Sequence, residues 1–140
     1  MDTRAIFLPA LAMVALTFAV WWRMYFARVG QMKRERIHPQ RVATSAQATA
    51  LLTDSRAADN FRNLFELPVL FYVALLVADR IEMVDGISLA LAWAFVLLRA
   101  IHSAVHVTYN RVMHRFAAYV AGAMVLWLLW GYLAVGLLSG

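Results

Sequence analysis

The chain has 140 residues, 64% of them hydrophobic and 15% charged, and its mean hydropathy of +0.67 is far above that of a soluble domain of this length. The absence of cysteine excludes disulfides and catalysis by a protein thiol, so any sulfur chemistry must come from a ligand. A net charge of +5 does not indicate nucleic acid as a partner, because the basic residues gather in two loops beside apolar segments rather than along a recognition helix.

Crossing a bilayer takes roughly 20 apolar residues per helix, so four crossings fill most of this chain. The expected fold is an all-α integral membrane protein, a four-helix bundle forming one domain over residues 1–140, without a linker, internal repeat or lipidation signal. The first span runs from Ala5 to Trp22, with Trp21, Trp22 and Tyr25 as an aromatic belt ahead of Arg23 and Arg28. It is longer than the apolar region of a signal peptide, and no Ala-x-Ala cleavage pattern follows it. Pro9 falls early in the run, where a missing amide donor costs least.

From Arg23 to Arg56 the sequence reads as a polar loop. Arg23, Arg28, Lys33, Arg34, Arg36, Arg41 and Arg56 stand against Glu35 and Asp54, seven minus two or +5, which places the loop in the cytoplasm. His38-Pro39 marks a turn within it. The second span is expected to enter as an amphipathic helix at Ala46 to Leu52 and to continue through Phe61 to Ala78, kinked at Pro68. Asp79, Arg80, Glu82 and Asp85 then form an outward-facing loop of net charge one minus three, or −2. The third span covers Ile87 to Tyr109, a short basic turn follows from Asn110 to His114, and the fourth covers Arg115 to Leu138. Both termini are therefore expected outside the cytoplasm, and short loops without a targeting signal fit a bacterial inner membrane.

Between Asp59 and Pro68 an acid, a base, two amides and a second acid interrupt the apolar second span. On a continuous helix Asp59, Asn63 and Glu66 share one face, and Arg62 and Glu66 lie one turn apart. The third span carries Arg99, His102 and His106 at steps of three and four, hence on one stripe. Arg111, His114, Arg115 and Tyr119 continue this polarity into the fourth span.

Structural readings of these residues remain open. The histidines suit a satisfied core position, Arg111 a snorkelling anchor and Arg62–Glu66 an interhelical ion pair. A metal site is not expected, because His102-x-x-x-His106 lacks a third converging ligand, and the other spans offer no facing histidine for haem. Ionisable groups at membrane depth mark a functional site by default. A mixed lining of cations, amides and a carboxylate suits a zwitterionic peptide with two carboxylates and one amine.

Nearly the whole chain resembles the MAPEG family, the membrane-associated proteins in eicosanoid and glutathione metabolism. Arg62-Asn63-x-x-Glu66, with Pro68 after it, is similar to that family's Arg-Asn-x-x-Glu segment, and Gly30-Gln31-x-Lys33 to its Gly-Gln-x-Arg. Arg99-x-x-His102-x-x-x-His106 followed by Arg111, Arg115 and Tyr119 keeps the spacing of the prostaglandin-E-synthase branch. The resemblance implies a homotrimer of four-helix subunits, with glutathione between neighbouring subunits near the cytoplasmic side and a lipophilic co-substrate arriving from the bilayer. By position, Lys33, Arg62, Asn63, Glu66, His102, His106 and Tyr119 would bind glutathione, and Arg115 would lie at its sulfur as the catalytic residue.

Three positions depart from the pattern. Asp59 inverts a charge where the eukaryotic enzymes usually carry an arginine, so either glutathione is held differently or Arg56, one turn earlier, compensates; His106 replaces a tyrosine and Phe116 a serine beside the catalytic arginine. The last two point away from prostaglandin synthesis. The function expected is a glutathione-dependent transferase or peroxidase acting on lipophilic electrophiles or hydroperoxides. Its partners would be a second and third copy of itself, glutathione, a lipophilic small molecule and membrane lipids. The alternative is a lipid-binding or scaffold protein that keeps the fold without turnover.

Overall fold

In hydrocarbon no water is available to satisfy backbone amides, so an apolar segment must satisfy them internally as helix. The computed structural model describes residues 3–139, and these form only helices and turns. Met1, Asp2 and Gly140, the ends of the single domain expected over 1–140, lie outside them. A 3₁₀ turn at Thr3–Ile6 leads into α1 (Phe7–Arg34), and a second at Pro39–Val42 precedes α2 (Ser45–Leu51). There follow α3 (Arg56–Asn63), α4 (Leu67–Arg80), α5 (Gly86–Val107) and α6 (Val112–Ser139). Four stretches are long and apolar enough to cross a membrane: Thr3–Arg34, Arg56–Arg80, Gly86–Val107 and Val112–Ser139.

The first helix does not stop at the aromatic belt, as the reading of a loop from Arg23 required. It continues to Arg34, so its 28 residues span about 42 Å at 1.5 Å per residue, well beyond a hydrocarbon core of about 30 Å. No proline interrupts Arg23 to Arg34, and Lys33 and Arg34 complement the dipole at the helix end. Arg36 adopts a left-handed φ of 52°, and the Ile37 amide turns back to the Met32 carbonyl at 2.9 Å, which ends the helix.

The second span is not one kinked helix but three pieces. A capping box between Thr44 and Gln47 starts α2, and the extended Leu52 ends it. The Gln31 side chain of α1 donates to the Leu51 carbonyl at 3.4 Å and to the Thr53 hydroxyl at 3.1 Å, fixing this end of α2 against α1. The break at Leu64 to Glu66 follows from Pro68, which cannot continue a preceding helix but suits the first turn of a new one. Pro68 therefore starts α4. Asp59, Asn63 and Glu66 accordingly do not share one helical face.

At the opposite end of the bundle Asp85 caps α5, accepting from the Ile87 and Ser88 amides at 3.0 and 2.9 Å. The Tyr132 hydroxyl of α6 also donates to Asp85, tying the start of α5 to α6. The Ser88 amide first, then the Tyr132 hydroxyl, hold the Asp85 carboxyl below the usual carboxylate range. Between the two ends, the Phe71 and Phe95 rings stack at 4.5 Å, and Met13, Leu129 and Leu133 close around the same fully buried core.

Candidate functional site

The stripe expected on the third span is buried inside the subunit. Arg99, His102 and His106 are 1%, 2% and 2% exposed. They therefore need no neighbouring subunit to cover them. The Ser103 hydroxyl, next to His102, donates to Asn60 Oδ1 at 3.2 Å, so α3 is hydrogen-bonded to α5 in the apolar interior.

Arg115 lies in the first turn of α6, above this stripe. Its guanidinium Nη1 donates to His106 Nε2 at 3.0 Å and to Asn110 Oδ1 at 2.8 Å. Guanidinium has no lone pair to offer, so His106 must accept at Nε2 and carry its proton on Nδ1. His102 Nδ1 donates to the Arg115 backbone carbonyl at 3.1 Å. Two histidines thus hold the same arginine, one by its side chain and one by its backbone. Asn110 does two things at once: its left-handed φ of 48° stops α5, with its amide on the Val105 carbonyl at 2.8 Å, and its side chain anchors Arg115.

Arg99 is more unusual. Its guanidinium lies 4.9 Å from the Tyr119 ring and 5.5 Å from the Phe95 ring, and none of its three nitrogens has a hydrogen-bond partner. Ring faces return about 0.5–2 kcal/mol each, much less than a buried cation needs. Asn60 Nδ2, His106 Nδ1 and His102 Nε2 are also buried and unpaired. Five of these six nitrogens are donors once the tautomers are assigned. A donor-rich interior of this kind fits a ligand that brings carboxylates.

The second span contributes differently from expectation. Arg62 pairs with Asp59 at 3.4 Å, not with Glu66, because the chain turns away from the helix after Asn63. Glu66 is exposed at the start of α4. Asn63 is half-buried, and Lys33 is exposed on the last turn of α1. Arg56 is not free to replace the cation that Asp59 displaces. It grips Asp54 through Nε and Nη2 at 2.9 and 3.0 Å and donates to the Thr108 carbonyl at 2.8 Å. This pairing holds the Asp54 carboxyl below the usual carboxylate range, against a smaller opposing effect of burial.

The structure therefore brings together His102, His106, Arg115 and Tyr119, whose ring is 5.9 Å from that of His102. Lys33, Arg62, Asn63 and Glu66 lie toward the exposed edge. Sequence reasoning missed Asn60, Ser103 and Asn110. Asn60 was legible only as one of two amides beside Arg62, and the Asn63 spacing drew attention away from it. Among the described residues no three potential metal ligands converge.

Two cavities open beside α1. One, of about 360 Å³, is polar and lies between the end of α1, α2 and α3. The other, of about 390 Å³, is apolar, lined by Val14, Phe18, Trp21, Phe61 and Phe65, with Thr17 and Tyr72 as its polar atoms.

Comparison with known families matches residues 6–135 to the model described as MAPEG family, while no curated protein and no solved structure matches the chain. That family generally works with glutathione and forms oligomers. With four apolar spans and a family match over nearly its whole length, the chain is a multi-pass membrane protein and belongs to the MAPEG family.

Proposed function

We propose that this protein is a membrane-bound, glutathione-dependent transferase or peroxidase acting on lipophilic electrophiles or hydroperoxides. One observation carries the proposal: both side-chain acceptors of Arg115, His106 and Asn110, are neutral, and among the described residues it has no carboxylate partner. A structural arginine at membrane depth is ordinarily paired with an acid. Arg115 is fixed in direction, yet its charge is left for a ligand.

When bound, glutathione supplies its sulfur as the nucleophile or reductant, and a thiol of pKa about 8.5 is weak in that role until a cation favours the thiolate. Arg115 provides that cation without titrating. Its surroundings are half-buried, which strengthens the effect over that in water. Glu66 takes the ammonium of glutathione, while Lys33, Arg62 and Asn63 supply donors at the exposed edge. His102, His106 and Tyr119 complete the binding set from the interior. In this reading the subunits form a homotrimer whose neighbours cover that exposed edge, in a bacterial inner membrane with both termini outside the cytoplasm.

The alternative is a lipid-binding protein without turnover. It is supported by the apolar cavity beside α1, which an acyl chain would fill without touching Arg115. Calorimetric titration of the detergent-solubilised protein with glutathione separates the two readings. Saturable binding that weakens in Glu66→Gln supports the transferase, and no heat of binding supports the lipid carrier.

A further inference from the structure

The basic end of α1 projects past the membrane edge that Trp22 and Tyr25 mark. At 1.5 Å per residue the Arg34 backbone stands roughly 13 Å beyond Tyr25, whereas the polar layer outside the hydrocarbon is about 5–7 Å thick on each side. The Arg34 side chain folds back: a Cβ built on Gly30 would meet its Nη1 at 3.4 Å. That returns the guanidinium to roughly 7 Å beyond Tyr25, the depth of lipid phosphates. Arg34 is exposed and, among the described residues, has no ion pair. Lys33, Arg36 and Arg41 are exposed beside it, and the single acid of this tip, Glu35, is already engaged by Gln31 Nε2 at 2.9 Å.

Trp22, Phe26, Gly30 and Arg34 follow one another at steps of four, hence along one stripe of α1. The Trp22 and Phe26 rings stack at 5.7 Å and are 49% and 64% exposed, so apolar surface lies directly below the guanidinium. A cation at phosphate depth above exposed rings matches a phospholipid, with its phosphate above and its acyl chains below. Guanidinium meets a phosphate with two parallel donors. A zwitterionic headgroup adds an ammonium that needs an acid, and the surplus of cations here repels it; an anionic headgroup adds none. We propose that the basic end of α1 binds an anionic phospholipid of the phosphatidylglycerol class, its phosphate on Arg34 over Gly30 and its acyl chains against Phe26 and Trp22. The site uses none of the residues assigned to glutathione and stands apart from that reading.

The test titrates the detergent-solubilised protein with dioctanoyl phosphatidylglycerol and with dioctanoyl phosphatidylcholine, and counts retained lipid by native mass spectrometry. Wild type prefers the anionic lipid about tenfold. Arg34→Gln binds the two alike, Arg34→Lys keeps part of the preference, and Gly30→Leu, which keeps every charge but fills the place of the guanidinium, loses it. Arg41→Gln removes an equal charge from the same tip and leaves the preference intact. Inorganic phosphate at the concentration of the lipid does not displace it. A preference retained in Arg34→Gln or in Gly30→Leu overturns the proposal. So does an equal loss in Arg41→Gln, which would mean attraction to surface charge without a site. Displacement by inorganic phosphate would make this a site for a free anion, and a wild type that does not distinguish the lipids has no such site.

Discussion

The Arg115 guanidinium donates to His106 Nε2 across 3.0 Å, which fixes both the direction of the arginine and the tautomer of the histidine. Replacing His106 with leucine removes the acceptor at similar bulk. A charged donor then loses one of its two side-chain acceptors, a change worth roughly 1–3 kcal/mol, or about tenfold to a hundredfold in rate. Turnover should fall in that range with a smaller change in glutathione affinity. Equal loss in kcat and affinity would make His106 a binding residue and nothing more.

Asn110 allows folding and site geometry to be separated. Glycine keeps the left-handed turn at no steric cost and removes the acceptor for Arg115, whereas alanine removes the acceptor and strains the backbone by about 1–2 kcal/mol. Asn110→Gly should therefore unfold closer to the wild-type temperature than Asn110→Ala while losing activity, and Asn110→Ala should lose both. Thermal unfolding in detergent beside an activity assay gives the answer. Full activity in Asn110→Gly would show that His106 alone suffices to hold Arg115.

The hydrogen bond from Ser103 to Asn60 joins α5 to α3 in the apolar interior. Ser103→Ala leaves Asn60 Oδ1 buried without a donor, a loss of about 1 kcal/mol by comparison with interhelical hydrogen bonds in other membrane proteins. Unfolding by a denaturing detergent should register it. An unchanged midpoint would mean that water or a rotated amide replaces the hydroxyl.

The pairing of Asp54 with Arg56 predicts a pH dependence of defined sign. The folded carboxyl titrates below its ordinary value of 3.8, so the stabilisation is complete above that value and is lost as the pH falls through the folded one. Asp54→Asn should be slightly less stable than wild type at pH 7, and the gap should close in acid. The effect is small, because the two side chains are 42% and 37% exposed. A gap that persists once the folded carboxyl is protonated would trace to the helix start rather than to the charge.

Loop charge predicts the orientation. A reporter fused at Gln40 should be cytoplasmic, and one at Gly140, which lies outside the described residues, should not. Cytoplasmic activity from the Gly140 fusion would invert the topology and move Arg115 to the other face.

The four spans were legible because apolar runs in a membrane have one backbone solution, and the loops between them carry the charge. The stripe of Arg99, His102 and His106 followed from helical spacing alone. The edge of the second span was not legible, since a periodic reading assumes a continuous helix and Pro68 opens a new one. The extension of α1 to Arg34 was hidden by its polarity, because hydropathy marks the membrane and not the end of the helix. Asn60 and Ser103 matter through a contact between distant segments, and Asn110 through a turn and a side-chain contact that hydropathy does not mark. None of these has a periodic signal in one chain.

The central claim is that Arg115 favours the thiolate of bound glutathione, and ultraviolet thiolate absorbance at neutral pH tests it most directly. Wild type saturated with glutathione should show the thiolate band, Arg115→Ala should bind glutathione without it, and Arg115→Lys should show a reduced band for want of the planar fork. Turnover of an aryl halide and of a lipid hydroperoxide should follow the same order. A thiolate band of wild-type intensity in Arg115→Ala would contradict the account.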